Sequence, residues 1–259
     1  MTAGLDRPGT PFRPVVPLVE TRTDGPVANI TIGSGSRRNA LSGAGWSQVH
    51  DRVRELGESD AIRAIVIRGR GGTFCAGSDM TEWRDTEPEA VEDSFARMES
   101  AFRAVEECPV PVLAEIHGVA AGAGCQLALS CDLRFMADSA RIGMPIARLG
   151  IMASPSFAAR MVAVAGPSAA RELLYTGRLL DAEAAVAAGL ADRHLPGPEL
   201  ATFTERTLAR IAEQPPAAVR AAKRAVGAAL APIREATRSN DRPAVSLDDF
   251  RLGISAFLG

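Results

Sequence analysis

"HGVAAGAGCQLALSCD", residues 117–132, gathers Gly, Ala, Ser and Cys into one run and sets a single long amide, Gln126, among them. It follows "VPVLAEIHG" (110–118), an apolar strand running into glycine, and leads into a helix. Small residues at such a junction let a ligand approach the backbone, and a helix start adds unpaired N–H groups at the positive end of its dipole. "GRGGTFCAGSDM" (69–80) repeats the device after the short strand "IRAIVIRG" (62–69). One such loop is equally well a turn where backbones pack closely. Two in matching contexts point to a shared task, a pair of N–H groups aimed at one oxygen. The other uses of glycine-rich loops fail on detail. "GTFCAGSD" has Ser78-Asp79 where a phosphate loop needs Lys-Ser/Thr, and "GAGCQL" lacks the third glycine of a dinucleotide fingerprint. No GxSxG occurs, which excludes a nucleophile elbow.

Outward from these loops the chain alternates strand and helix. "VANITI" (27–32) alternates like a strand, "SGAGWSQVHDRVRELGE" (42–58) is an amphipathic helix with Ser42 as N-cap, and helical spacing returns over 88–107. "DLRFMA" (132–137) reads as a strand. Residues 156–188 read as helix broken at Gly166-Pro167 and Gly177, and 199–213, 217–231 and 246–258 as a helical tail. The first seventeen residues hold four prolines and no apolar core, which reads as a loose arm.

The 259 residues are 46% hydrophobic and 23% charged, as expected of a soluble chain with a sizeable core. A net charge of −2 without a block of like charges gives no footprint for nucleic acid or anionic membrane, and no apolar run is long enough for a span. Cys75, Cys108, Cys125 and Cys131 form no CxxC pair and lack a companion His, which suits reduced, buried, cytoplasmic thiols and no metal.

"RRNALS" (37–42), "TFCAGSDM" (73–80), "PVLAEIHGVAAGAGCQLALSCDLRFMADSARIGMP" (111–145), "ARELLYTGRLLDAEAAVAAGLADRHLP" (170–196) and "RLGISAF" (251–257), in that order, resemble the enoyl-CoA hydratase/isomerase family, the crotonase superfamily. The resemblance spans roughly residues 20 to 257. It implies an α/β fold, a crotonase-like spiral of ββα turns, with 1–19 as an N-terminal arm, 20–198 as the core and 199–259 as a helical trimerisation region. It also implies a homotrimer or dimer of trimers, an acyl-CoA thioester as substrate, and no cofactor beyond that coenzyme A.

Carried over residue by residue, the resemblance makes the backbone amides of Ser78 and Ala123 the oxyanion donors. It places Arg37, Arg38, Ala40, Ala76, Asp79, Met80 and Lys223 along coenzyme A, with plain surface charge as the alternative for the three cations. The family's hydratases carry two glutamates as acid and base, and here those positions are Gln126 and Ile146. Neither moves a proton at neutral pH, so ordinary hydration is not expected. Other candidates remain open. Glu82 lines the acyl pocket or sits beside a helix start, and Trp83 lines it or fills the core. Arg148 meets a substrate carboxylate or forms a structural ion pair, and His117 is a base or a structural residue. Two functions fit: an acyl-CoA enzyme with different proton-transfer groups, or an acyl-CoA-binding protein without chemistry.

Overall fold

The computed structural model describes residues 18–83 and 88–238 and, beyond them, 250, 252–253 and 255–256. The arm read from residues 1–17 and most of the helix read over 246–258 lie outside these. The chain opens with the hairpin β1 (Val19–Asp24) and β2 (Val27–Ile32), followed by α1 (Gly43–Glu58), whose N-cap Ser42 accepts a hydrogen bond from the Gly45 amide. β3 (Ala64–Gly69) leads through the 69–80 loop to α2 (Pro88–Glu107). Then come β4 (Val112–Ile116), β5 (Val119–Ala121) and α3 (Ala123–Ser130), and after them β6 (Leu133–Ala137), β7 (Arg141–Gly143) and α4 (Pro155–Thr176). β8 (Leu179–Asp181), α5 (Ala182–Ala187), β9 (Arg193–Leu195), α6 (Gly197–Ala212) and α7 (Pro216–Arg238) complete the order.

Two turns of the chain, β4-β5-α3 and β6-β7-α4, each supply one strand to each of two sheets and close with a helix. The larger sheet runs β1-β2-β3-β4-β6-β9, parallel except for the opening hairpin, and the smaller runs β5-β7-β8. β3 and β4 are apolar nearly throughout because both faces are covered. The short strands β5, β7, β8 and β9 escaped the sequence pattern: three residues cannot display an alternation. For the same reason 156–188 is not all helix, since β8 interrupts it. The break read at Gly166-Pro167 is there: Gly166 takes φ 76° and ψ 167°, outside helical values, and two helical segments of α4 meet at a kink where the missing Pro N–H is tolerated.

The two small-residue loops meet between the sheets. The Phe74 and Cys75 amides donate to the His117 and Val119 carbonyls at 2.8 and 2.9 Å, and the Ala121 amide donates back to the Cys75 carbonyl at 3.0 Å. The approach is so close that a Cβ on Gly124 would overlap the Cys75 carbonyl. Gly124→Ala should therefore destabilise the fold by about 3 kcal/mol. Gly227→Ala, on α7 with no atom within 4 Å of the new methyl, should stabilise it by about 0.5–1 kcal/mol. Urea unfolding of the two variants checks the contrast.

Candidate active site

Leu41 forms a parallel bridge with Ser78: its amide donates to the Gly77 carbonyl and its carbonyl accepts from the Asp79 amide, both at 2.9 Å. In such pairing the central residue's own N–H and C=O point to the opposite side, so the bridge turns the Ser78 amide away from residues 37–42. Ala123 is the first residue of α3, where no intrahelical acceptor exists. Among the described residues neither the Ser78 nor the Ala123 amide donates to a protein acceptor. The two loops converge here: a Cβ on Gly77, at φ 110°, would stand 3.0 Å from the Ala121 carbonyl oxygen and 3.3 Å from the Ala123 nitrogen. Glycine is required at that position by both conformation and space. The Ser78 hydroxyl is turned inward, accepting from Trp46 Nε1 at 3.2 Å and donating to Met98 Sδ at 2.8 Å.

Arg37, Arg38 and Asn39 all take positive φ, an unusual run for residues other than glycine. Buried Asn39 holds the run in place. Its Nδ2 donates to the Arg70 and Thr73 carbonyls at 2.8 and 2.6 Å, and its Oδ1 accepts from the Gly35 amide at 2.9 Å. The Ala76 amide donates to the Arg38 carbonyl, which stitches the turn to the first loop beside Ala40. Arg37 Nη1 donates to Asp79 Oδ2 at 2.6 Å and to Thr81 at 2.8 Å, while the side chain stays 60% exposed. Burial works against the charge on Asp79, but hydrogen bonds from the Thr81 hydroxyl and amide and the Arg37 pairing outweigh it and hold its carboxyl below the usual value. The clamp is thus complete at neutral pH and is lost only as pH falls through that lowered value. Arg38 remains exposed beside it.

Gln126 is fully buried, three residues along α3 from Ala123. Its Oε1 accepts from Arg160 Nη1 at 2.8 Å, while Arg160 Nη2 and Nε bind Glu99 and Glu106 at 2.8 and 2.9 Å. A guanidinium only donates, so the amide is locked with its NH₂ toward Met144 Sδ and the Phe157 carbonyl, at 3.6 and 3.4 Å. Burial disfavours the charge on Arg160, yet Glu106 and Glu99 outweigh that and raise its pKa above the usual value, so it stays charged. The guanidinium also lies 5.1 Å from the centre of the Phe102 ring. Ile146 is buried and apolar. Position 126 is an amide because its neighbour already carries two carboxylates.

The other sequence candidates are placed as follows. Glu82 Oε2 accepts from the Gly43 amide at 2.8 Å, at the start of α1. Trp83 is buried, stacked on Phe95 at 5.3 Å and near Phe250 at 5.9 Å, and Met80 opens the same 3-10 turn. Arg148 is exposed and lies against Gly177 at the end of α4. His117 faces Glu115 at 3.9 Å, on the carboxylate that also pairs with Arg68. Lys223, expected beside the coenzyme A phosphates, is paired within the chain. Its ammonium is held by Asp132 at 2.7 Å and by the Val110 and Val105 carbonyls at 3.0 and 3.5 Å, at the C-terminal end of α2. The four thiols are buried and outside any disulfide, and burial pushes Cys75, Cys125 and Cys131 up to about 12. Among the described residues no group of three metal-ligating side chains forms, and no helix is long and apolar enough to cross a membrane.

A two-layer ββα spiral with two free amides at the meeting of its small-residue loops defines a class, and the comparisons agree with it. A sequence model described as enoyl-CoA hydratase/isomerase matches residues 22–258, and the chain belongs to that enzyme family. It is 33% identical over 204 residues to the probable enoyl-CoA hydratase echA8 of Mycobacterium bovis, covering 78% of each chain. To the crotonyl-CoA hydratase of Syntrophomonas wolfei it is 29% identical over 237 residues, covering 90% of this chain and 91% of that one. The crystal structure of an enoyl-CoA hydratase from Bacillus anthracis superposes with a TM-score of 0.79 at 28% identity, over 86% of this chain and 91% of that one.

The Arg160 cluster escaped sequence reading. Its signal was there: Glu99 and Glu106 recur seven residues apart on the face of α2 that carries Phe95 and Phe102, and Arg160 interrupts apolar "PSFAARMVAV" (155–164). Gln126→Glu should force a third carboxylate onto one guanidinium and raise its pKa in the folded state. The variant therefore loses stability as pH rises from about 4.5 through that raised value. Urea unfolding should show a deficit against wild type of about 2–4 kcal/mol at about pH 8, smaller at about pH 5. Equal deficits at both would contradict the assignment.

Proposed function

We propose that the protein binds an acyl-CoA thioester with its carbonyl oxygen between the Ser78 and Ala123 amides, which stabilise the enolate-like anion formed when a bond at the α-carbon is made or broken. The observation that supports this is that the Ser78 and Ala123 amides have no protein acceptor among the described residues and lie on loops that touch at Gly77. Two fixed donors cost no reorganisation as charge develops, and the positive end of α3 adds to them. Arg38, Ala40, Ala76 and Met80 form the coenzyme A side of the cleft, with Asp79 and Arg37 clamping its wall. α6 and α7 form the association surface of a homotrimer or a dimer of trimers, and the protein acts in the cytoplasm.

The reaction is not the two-carboxylate addition of water. Gln126 is held by a guanidinium and Ile146 is apolar, so neither position supplies an acid or a base. An acyl-CoA-binding protein without turnover would use the same pocket. An oxyanion hole favours the enzyme, because donors aimed at a developing charge serve a transition state more than a ground state.

Ala123→Pro tests the assignment cleanly. Position 123 is the first of its helix, where proline is tolerated and replaces the N–H with a ring carbon that also occupies the place of the thioester oxygen. A conjugated dienoyl-CoA bound to wild type should show a red-shifted absorbance from polarisation of its thioester, and the variant should lose most of the shift. Any turnover should fall about 100- to 1,000-fold. An unchanged shift would remove Ala123 from the oxyanion hole.

A further inference from the structure

Of Ser78 itself the protein holds only the side chain. The Leu41 bridge bonds the Gly77 carbonyl and the Asp79 amide, on either side of the residue. Among the described residues neither the amide nor the carbonyl of Ser78 has a protein partner. A residue tied only through its neighbours can rock about the line that joins them, since φ and ψ are soft, and its N–H swings with it. The hydroxyl is gripped from two helices. Trp46 Nε1, on α1, donates to it at 3.2 Å, and it donates to Met98 Sδ, on α2, at 2.8 Å.

Both partners are fixed by burial, Trp46 being 0% and Met98 1% exposed. The indole meets Phe102 edge to face, with ring centres 5.5 Å apart and planes at 75°, and Phe102 lies against the Arg160 guanidinium. A buried indole N–H normally finds an acceptor. Among the described residues the one it finds here is the side chain of the residue whose amide is free. The arrangement has a chemical consequence. A serine hydroxyl without tertiary partners bonds nearby backbone N–H groups, and it would then compete with a ligand for the donors of this loop.

We infer that Trp46 is a positioning residue for the oxyanion hole: its indole N–H holds the Ser78 hydroxyl inward, so that the Ser78 amide stays free and aimed at the thioester oxygen. This rests on the acyl-CoA reading above. Trp46 acts only through Ser78; it meets no substrate and moves no proton. Losing its grip turns the amide away from the line of a good hydrogen bond, and that bond weakens steeply with misalignment. The loss falls on the charge that develops on the thioester oxygen. Binding of the coenzyme, which does not use this amide, is spared.

Trp46→Phe removes the N–H and keeps a ring against Phe102, while Ser78→Ala removes the hydroxyl and keeps the amide. The readout is the absorbance red shift of a bound conjugated dienoyl-CoA, with coenzyme A affinity followed by calorimetry. Each single variant should lose about half or more of the wild-type shift, and any turnover should fall about tenfold or more in kcat. Coenzyme A should bind within about twofold of wild type. The double variant should be no worse than the singles, because both changes cut the same bond. A tryptophan that only fills the core would give losses that add. Additive losses, or a full shift in both single variants, overturns the inference and leaves the oxyanion hole standing. If Trp46→Phe does not fold, Ser78→Ala decides alone, an unchanged shift overturning the inference. If wild type itself gives no red shift, the acyl-CoA reading falls and the inference with it.

Discussion

A guanidinium sealed from water must be surrounded by acceptors, and the middle of this molecule is arranged around that requirement. Arg160, from α4, draws in two carboxylates from α2 and the amide oxygen of Gln126 from α3. Three helices are thus tied at one buried charge. Arg160 already holds two carboxylates, one of them shared with Arg103 at 3.8 Å, and its remaining partner is the neutral acceptor Gln126. Removing Arg160 would leave two buried carboxylates without their shared cation, which is far more damaging than the net worth of the pairing suggests. The identity of residue 126 is therefore set from behind, by packing, as much as from the front by chemistry.

That constraint separates two devices that sit within one turn of α3. The amides of Ser78 and Ala123 depend only on backbone geometry. Gly77 and Gly124 let the loops touch, Leu41 turns the Ser78 peptide, and the helix start leaves the Ala123 N–H open. Acid–base chemistry depends on side chains, and those at the two relevant positions are an amide and an isoleucine. A site can keep the first device and lack the second, since nothing in the backbone geometry requires a carboxylate at 126. Anion stabilisation without an internal proton carrier suits reactions whose proton is exchanged with solvent or supplied by the substrate.

Much of this was legible in the sequence. Both small-residue loops, the strands that feed them and the N-cap Ser42 could be read because turn chemistry and burial leave local signatures. Three-residue strands left none, because their pairing is decided by partners far along the chain. The cations were the least readable. Arg37, Arg38 and Lys223 look alike on paper, yet Arg37 clamps Asp79 and Lys223 fastens α7 to the end of α2. A charged residue's role depends on where its partner lies, and Asp132 is 91 residues from Lys223. The same holds for Glu99, which meets Arg160 across 61 residues.

The central claim is that the oxyanion donors are present while the hydratase acid–base pair is absent. Following loss of the conjugated absorbance of crotonyl-CoA with wild-type enzyme tests it most directly, with binding of the thioester confirmed in the same sample. Binding should be clear and hydration should stay at the uncatalysed rate or within a small multiple of it. Turnover at the pace of an ordinary two-glutamate hydratase would contradict the claim and require a proton-moving group that Gln126 and Ile146 do not provide.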